Sequence, residues 1–182
     1  MKNLEVLNRE EASETTKEIF SALNDQLGMV PNVFGAIGNS GPALKATLAI
    51  GEALQNGEFS PKETEAIALA VAESNTCDYC LAAHTAVGKM NGFSLEETVS
   101  IRTGQVEDEK LKPLTDLAKA ITETRGFPKQ DLVDLFFEAG YSKAALAELI
   151  VLVGLNTITN YTNHIAGTEI DFPKAPELAK AS

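Results

Sequence analysis

The sequence predicts an all-α protein built as one domain, and three observations support this prediction. Apolar residues recur at three- and four-residue spacing along most of the chain, as on the buried face of a helix. Alternation with a period of two, the pattern of a half-buried strand, is essentially absent. Capping boxes at Ser60 to Glu63 and Ser94 to Glu97 mark two helix starts. A length of 182 residues, with 44% hydrophobic and 23% charged residues, suits one folded domain that needs no disulfide scaffold.

Residues 1–40 are predicted to form an N-terminal helical extension. A sparse amphipathic stripe predicts a helix from Glu11 to Leu27, which Gly28 ends. The apolar segment that follows has Pro31 at a natural helix start, which predicts one or two further turns.

Residues 41–125 are predicted to form the core, beginning with a helix over 42–55. The capping box at Ser60 opens the next helix, whose run 66–72 is apolar on all sides and is therefore predicted to be buried. Glu65 adjoins this run, so it is not expected to be wholly solvated.

Residues 73–76 are predicted to end that helix and to cap the next one, which extends over 77–91. A short helix from Ser94 to about 103 and a helix over 114–124 complete the core, with an acidic loop between them.

Residues 126–166 are predicted to be C-terminal helices. A helix over 130–139 precedes a long final helix, in which 146–155 is a second segment that is apolar on all sides and predicts burial. The tail 167–182 contains two prolines and is predicted to be extended and to lie across a neighbouring subunit.

The charge balance bears on partners and location. The chain has 15 Lys and Arg against 26 Asp and Glu, a formal charge of -11, which would repel nucleic acid and anionic membranes. The N-terminal residues do not resemble a signal peptide, and no apolar run approaches the length of a membrane span, so a cytoplasmic location is expected.

The candidate chemistry lies between Glu65 and His84. Cys77, Cys80 and His84 follow one another at one-turn spacing and share a helix face, and a tight connection would fold Glu65 back toward them. A thiol at a helix N-terminus or beside an imidazole has a lowered pKa, and a second cysteine three residues away can trap a sulfenic acid as a disulfide. His84 could take the thiol proton and Glu65 could orient the imidazole and relay the proton.

The pattern E-x11-C-x-x-C-x3-H, from Glu65 to His84, resembles the signature of the AhpD-like alkylhydroperoxidases within the carboxymuconolactone decarboxylase superfamily. The segments MVPNVF and TNYTNHIAGTEIDFP also resemble the longer, peroxidase-related members. The resemblance implies an all-α AhpD-like fold with a central two-helix hairpin that carries the motif, and assembly into trimers or hexamers. It also implies reduction of peroxides by an external thiol or dithiol reductant, without a bound organic cofactor.

By position, the resemblance makes Cys80 the attacking thiol, Cys77 the resolving thiol, and Glu65 with His84 the proton relay. Tyr79 stands where the best-known members have histidine. A phenol has a reference pKa of about 10 against about 6.5 for imidazole, so Tyr79 is at most an auxiliary group, and a narrower or different redox substrate is plausible.

Other interpretations of these residues remain open. Two thiolates, an imidazole and a carboxylate could form a zinc site, although the spacing is not that of a zinc finger. A lyase resembling carboxymuconolactone decarboxylase would leave both cysteines unexplained, and the cysteines could also be small buried apolar groups. Glu73 is a rival acid that we expect to be solvated.

A polar stripe follows the apolar part of the last helix. Asn156, Asn160, Asn163 and His164 are predicted to share a face that lines the site, lines a subunit interface or meets solvent. None of the four is assigned to the site on this basis.

Overall fold

The computed structural model describes residues 4–178, and within that range it is all-α, with no β-strand. A single 3₁₀ turn, Arg9–Glu11, precedes the helices. The helices are α1 (Glu14–Leu27), α2 (Asn32–Ile37), α3 (Gly41–Leu54), α4 (Pro61–Ser74), α5 (Asp78–Met90), α6 (Leu95–Thr103), α7 (Leu111–Thr124), α8 (Gln130–Glu138) and α9 (Lys143–Ala166). The all-α prediction is confirmed.

Local signals place most of these boundaries. Both capping boxes form, with the hydroxyls of Ser60 and Ser94 accepting from the backbone N–H groups three residues on. Gly28 ends α1 in the left-handed conformation, as predicted. The start of α7 at Leu111 is earlier than predicted, because the Asp108 carboxylate in the acidic loop accepts from the Leu111 backbone N–H at 2.8 Å.

Helix α4 lies at the centre of the molecule. All seven residues of 66–72 are buried, which confirms the prediction from the apolar run. Helices α5, α6, α7 and α9 pack around it. Because α5 folds straight back along α4, the two form a hairpin whose tip is residues 75–77.

Helix α9 departs from its prediction of burial on all sides. Leu149, Leu152 and Val153 are buried against the core, but Ile150 and Val151 are exposed. Length and composition alone would allow α9 to cross a membrane. Its inner face, however, packs against α4 and α7 in the core of the domain.

The described part of the tail, 167–178, packs against its own chain. Asp171 Oδ2 accepts from the backbone N–H of Asn32 at 2.7 Å, and Arg102 Nη1 donates to the Pro176 carbonyl at 2.7 Å. These contacts tie the described part of the tail to α2 and α6 of its own chain, and its approach to a neighbouring subunit stays a prediction. Residues 179–182 of the predicted tail lie outside the described residues.

A polar cluster joins the start of α4 to the start of α7 and to the connection between α8 and α9. Tyr141 donates its hydroxyl to Glu63 Oε1 at 2.9 Å, and Lys110 Nζ lies 3.0 Å from the same oxygen. Burial opposes ionisation of Glu63, but hydrogen bonds from the Ser60 side chain and backbone, Lys110 and Tyr141 outweigh it and lower its pKa to about 2. The carboxylate therefore stabilises the fold in its ionised form.

Candidate active site

Cys77 and Cys80 lie at the N-terminus of α5. Cys77 is itself the N-cap, and its Sγ accepts from the backbone N–H of Cys80 at 3.3 Å. The two residues form a disulfide, with their Cα atoms 5.3 Å apart. The cap was expected from residues 73–76, but Asn75 ends α4 and Thr76 turns the chain in the left-handed conformation. The sulfurs therefore lie where unpaired helix N–H groups favour a thiolate.

Two asparagine amides from α9 reach these sulfurs. Asn160 Nδ2 donates to Cys80 Sγ at 2.9 Å, and Asn163 Nδ2 lies 3.3 Å from Cys80 Sγ and 3.8 Å from Cys77 Sγ. The amide of Asn75, at the tip of the hairpin, donates to Asn160 Oδ1 at 2.8 Å and so holds the Asn160 amide with its N–H groups toward the sulfur.

The other two members of the predicted polar stripe do not take part in these contacts. Asn156 is buried, but its amide donates to the Leu152 carbonyl of its own helix at 2.9 Å. His164 is exposed, and its ring lies beside that of Tyr161. Of the four residues in the predicted stripe, Asn160 and Asn163 contact the sulfurs, Asn156 bonds within α9 and His164 lies at the surface.

Glu65 and His84 meet across the hairpin. Glu65 Oε2 lies 2.9 Å from His84 Nδ1, and the two side chains are only 12% and 26% exposed. A Cβ at Gly88, one turn after His84, would lie 3.3 Å from the Phe93 ring and would crowd it, whereas Glu65 Cβ would be at an ordinary contact distance of 3.8 Å. His84 is in turn one helical turn from Cys80, so α5 carries the thiol and the imidazole on one face.

Tyr79 is a structural residue rather than a base. It is buried, and its hydroxyl oxygen accepts from the backbone N–H of Val33 at 3.3 Å. Burial raises the pKa of Tyr79 far above its ordinary value, and the neighbouring Asp171 carboxylate raises it further. The ring meets Phe172 edge to face. Tyr79 therefore ties the start of α5 to α2 and to the tail.

The rival acid, Glu73, is not free to act on the sulfurs. Its carboxylate accepts from Arg102 Nε at 2.7 Å, whereas solvation was expected. Between residues 4 and 178, no group of three or more His, Cys, Asp or Glu side chains is arranged to hold a metal ion. In the state described here both sulfurs are in a disulfide, and His84 Nδ1 is bonded to Glu65.

Residues 42–123 match the model of the carboxymuconolactone decarboxylase family. Over these residues, 82 of the 182 in the chain, the sequence is similar to that family. The matched segment contains Glu65, Cys77, Cys80 and His84, all on the α4–α5 hairpin. Asn160 and Asn163 lie outside it, on α9, so their approach to the sulfurs is visible only in the tertiary structure.

Solved structures share the fold over most of their length. A peroxidase-related protein from Silicibacter sp. TM1040 is 23% identical with a TM-score of 0.76, and the alignment covers 92% of each chain. An alkylhydroperoxidase AhpD core protein from Ralstonia eutropha JMP134 is 18% identical with a TM-score of 0.82, covering 91% of this chain and 90% of that one. The debrominase Bmp8, in complex with 2,3,4-tribromopyrrole, is 16% identical with a TM-score of 0.79, covering 94% and 92%.

At these identities, the structural likeness confirms the AhpD-like helical fold. No curated protein matches the sequence.

Proposed function

We propose that the protein is a thiol-dependent peroxidase that reduces hydrogen peroxide or a small organic hydroperoxide. The observation that carries the proposal is the Cys77–Cys80 pair at the N-terminus of α5, with amide donors on Cys80 and the Glu65–His84 pair one turn away. This arrangement supplies a nucleophile, a resolving thiol and a proton relay in one place.

In the first step, which reduces the peroxide and oxidises the enzyme, the Cys80 thiolate attacks the terminal oxygen of the hydroperoxide. The S–O bond forms as the O–O bond breaks, and the departing alkoxide takes a proton through His84 and Glu65, so that an alcohol leaves. Cys80 is then a sulfenic acid, and the peroxide has gained two electrons.

In the second step, the Cys77 thiolate attacks the Cys80 sulfur. The S–S bond forms, the S–O bond breaks, and the hydroxide leaves as water after taking the proton released by Cys77. The product is the disulfide that the structure contains. An external thiol or dithiol reductant must then return two electrons, which fits a reducing compartment such as the cytoplasm.

The burial of the sulfurs bears on substrate size. Cys77 and Cys80 are 1% and 2% exposed, whereas His84 reaches solvent. We therefore expect only a small oxidant to reach Cys80 readily. A bulky lipid hydroperoxide would first have to displace side chains, so we expect it to react more slowly.

We also propose that the protein forms a homo-oligomer, a trimer or hexamer, through the outer face of α9. From residue 149 to its end at 166 this helix has no Asp, Glu, Lys or Arg. Its outer face is apolar and exposed over four turns, with members Ile150, Val151, Ile158, Tyr161 and Ile165. Two copies of a chain with a charge of -11 repel each other over most of their surface, but this face carries no net charge to oppose contact.

The proposed activity is tested by intact mass spectrometry of the fully reduced protein, mixed with one equivalent of hydrogen peroxide or cumene hydroperoxide. We expect rapid loss of about 2 Da, reversed by a dithiol, as the disulfide forms. Cys80→Ser should show no peroxide-driven change, and Cys77→Ser should stop at a Cys80 sulfenic acid that a cyclic diketone can trap. Peroxide reduction that persists in Cys80→Ser would overturn the mechanism.

A parallel reaction with 2,3,4-tribromopyrrole addresses the likeness to the debrominase. A dithiol can supply two electrons to a carbon–bromine bond as well as to a peroxide. Debromination coupled to disulfide formation, together with slow peroxide reaction, would replace peroxidase by dehalogenase as the function of the same thiols.

A further inference from the structure

One polar atom beside the sulfurs has no partner. Asn163 is 5% exposed, and its Oδ1 is buried and accepts no hydrogen bond from any residue in the described part of the chain. A buried amide oxygen is nearly always paired, because leaving it without a partner is unfavourable. The Nδ2 of the same amide lies 3.3 Å from Cys80 Sγ. The unpaired oxygen belongs to the same amide, so it is an acceptor close to the proposed nucleophile.

The neighbouring amide is fully engaged. Asn160 Oδ1 accepts from Asn75 and its Nδ2 donates to Cys80 Sγ. Reversing the Asn160 amide would place its oxygen against the sulfur and its N–H groups against those of Asn75, which is unfavourable on both sides. Asn160 is thus fixed as a donor to Cys80 alone, whereas Asn163 offers a donor to the sulfur and a free acceptor beside it.

We propose that Asn160 and Asn163 are catalytic residues: both donate hydrogen bonds to the Cys80 thiolate, and Asn163 Oδ1 also accepts the O–H of the bound hydroperoxide. This inference rests on the proposed peroxidase function. A hydrogen bond to a charged acceptor is roughly twice as strong as one to a neutral acceptor, so the two amides favour thiolate over thiol.

The acceptor role determines which oxygen is attacked. The oxygen that bears hydrogen is the one that Cys80 must take, and a hydrogen bond to Asn163 Oδ1 holds that oxygen next to the sulfur. When the S–O bond forms and the O–O bond breaks, the same O–H becomes that of the sulfenic acid. Its hydrogen bond to Asn163 is retained, which orients the sulfenic acid for attack by Cys77. The substrate class is therefore a hydroperoxide with a free O–H.

The test uses the full chain with Cys77→Ser, so that Cys80 is the single thiol, and compares Asn160→Ala, Asn163→Ala and Asn156→Ala. Asn156 is the matched control, because it is a buried amide on the same helix that bonds only to its own helix. The first measurement is the pH dependence of the alkylation rate by iodoacetamide, which reports the thiol pKa without peroxide. We expect the pKa of Cys80 to rise by about one unit in each site variant and to stay unchanged in Asn156→Ala.

The second measurement is the rate of Cys80 oxidation by hydrogen peroxide at a pH above every measured thiol pKa, where Cys80 is fully thiolate. There Asn160→Ala should react as fast as the Cys77→Ser parent protein. Asn163→Ala should remain about tenfold slower than that parent, because it has also lost the acceptor for the substrate. Thermal unfolding of each variant reports its folding, and Asn160→Ser and Asn163→Ser replace any alanine variant that does not fold.

The outcomes separate the two proposals. Unchanged thiol pKa values would overturn the donor role even if peroxide is reduced, and equal limiting rates for the two site variants would overturn the acceptor role. Shifted pKa values in a protein that reduces no peroxide would instead refute the proposed function and leave the thiolate-stabilising role in place.

Discussion

Glu65 Oε2 lies 2.9 Å from His84 Nδ1, on the facing sides of two antiparallel helices. A carboxylate can only accept, so in the neutral imidazole the proton sits on Nδ1 and the lone pair on Nε2. The pair thus fixes the tautomer of neutral His84, and in the proposed mechanism Nε2 is the base or acid toward the peroxide.

We predict that His84→Gln slows peroxide-driven oxidation of Cys80 by about 10²-fold, the lower range for loss of a general acid or base. Glu65→Gln should slow it by less, because the imidazole remains but loses its fixed tautomer. The rate is measured by quenched-flow alkylation and mass spectrometry. Glu73→Gln is the matched control, since Glu73 is on the same helix but bonds Arg102. Equal effects of Glu65→Gln and Glu73→Gln would contradict the relay.

The packing of the tail, residues 167–178, is predicted to depend on Arg102. Its buried guanidinium binds Glu73 and the Pro176 carbonyl, so Arg102→Met removes both contacts and leaves a half-buried carboxylate unpaired. We expect the free energy of unfolding in urea to fall by about 1–3 kcal/mol. Cleavage by trypsin after Lys174 should also become faster. Lys119→Met, which removes an exposed ion pair with Glu123, should change the free energy of unfolding by less than about 0.5 kcal/mol. Undiminished protection of Lys174 in Arg102→Met would show that other contacts hold the tail.

The pH dependence of stability should report Glu63. Its pKa is lowered from 4.5 to about 2 on folding, so its stabilising contribution is complete above the unfolded value and is lost as pH falls from 4.5 toward 2. We expect Glu63→Gln to lower the free energy of unfolding by about 1 kcal/mol near neutral pH. This difference from the parent protein should shrink across that acidic window. Urea titrations of both proteins at each pH measure the difference, and Glu123→Gln serves as an exposed control. A difference that stays constant with pH would exclude Glu63 as the source of the pH dependence.

Self-association is predicted to depend on the outer face of α9. Ile158→Lys places a charge at the centre of the apolar face, so it should convert an oligomer to monomer without loss of helical circular dichroism. Multi-angle light scattering gives the molar mass of each species. Leu135→Lys, at an exposed apolar position on α8, is the matched control and should leave the oligomer intact. A monomeric parent protein at micromolar concentration would refute the proposed assembly.

Local sequence features predicted most of the secondary structure correctly. The capping boxes at Ser60 and Ser94 and the glycine after α1 depend on contacts within a few residues, so they can be recognised from the sequence alone. The motif also predicted which residues of the hairpin would approach one another, and Glu65 and His84 do so.

Predictions that depended on distant partners fared less well. Two segments, 66–72 and 146–155, are both apolar on all sides, yet only the first is surrounded by other helices. Hydropathy indicates which side chains can be buried, but the arrangement of the helices decides which faces of a helix are covered by neighbours. Glu73 was expected in solvent for the same reason, since its partner Arg102 is 29 residues away.

The sequence by itself determined the helical class, most of the helix boundaries and the spacing that places two thiols, an imidazole and a carboxylate on one hairpin, because these follow from helix geometry and short-range capping. The tertiary structure alone decided that Asn160 and Asn163 reach the sulfurs from α9, that Tyr79 fastens the tail, and that one face of α9 remains open. Such contacts join residues 46 to 93 positions apart in the chain, as in Val33–Tyr79, Asn163–Cys80 and Tyr79–Phe172. Their existence depends on how whole helices pack, which no local pattern encodes.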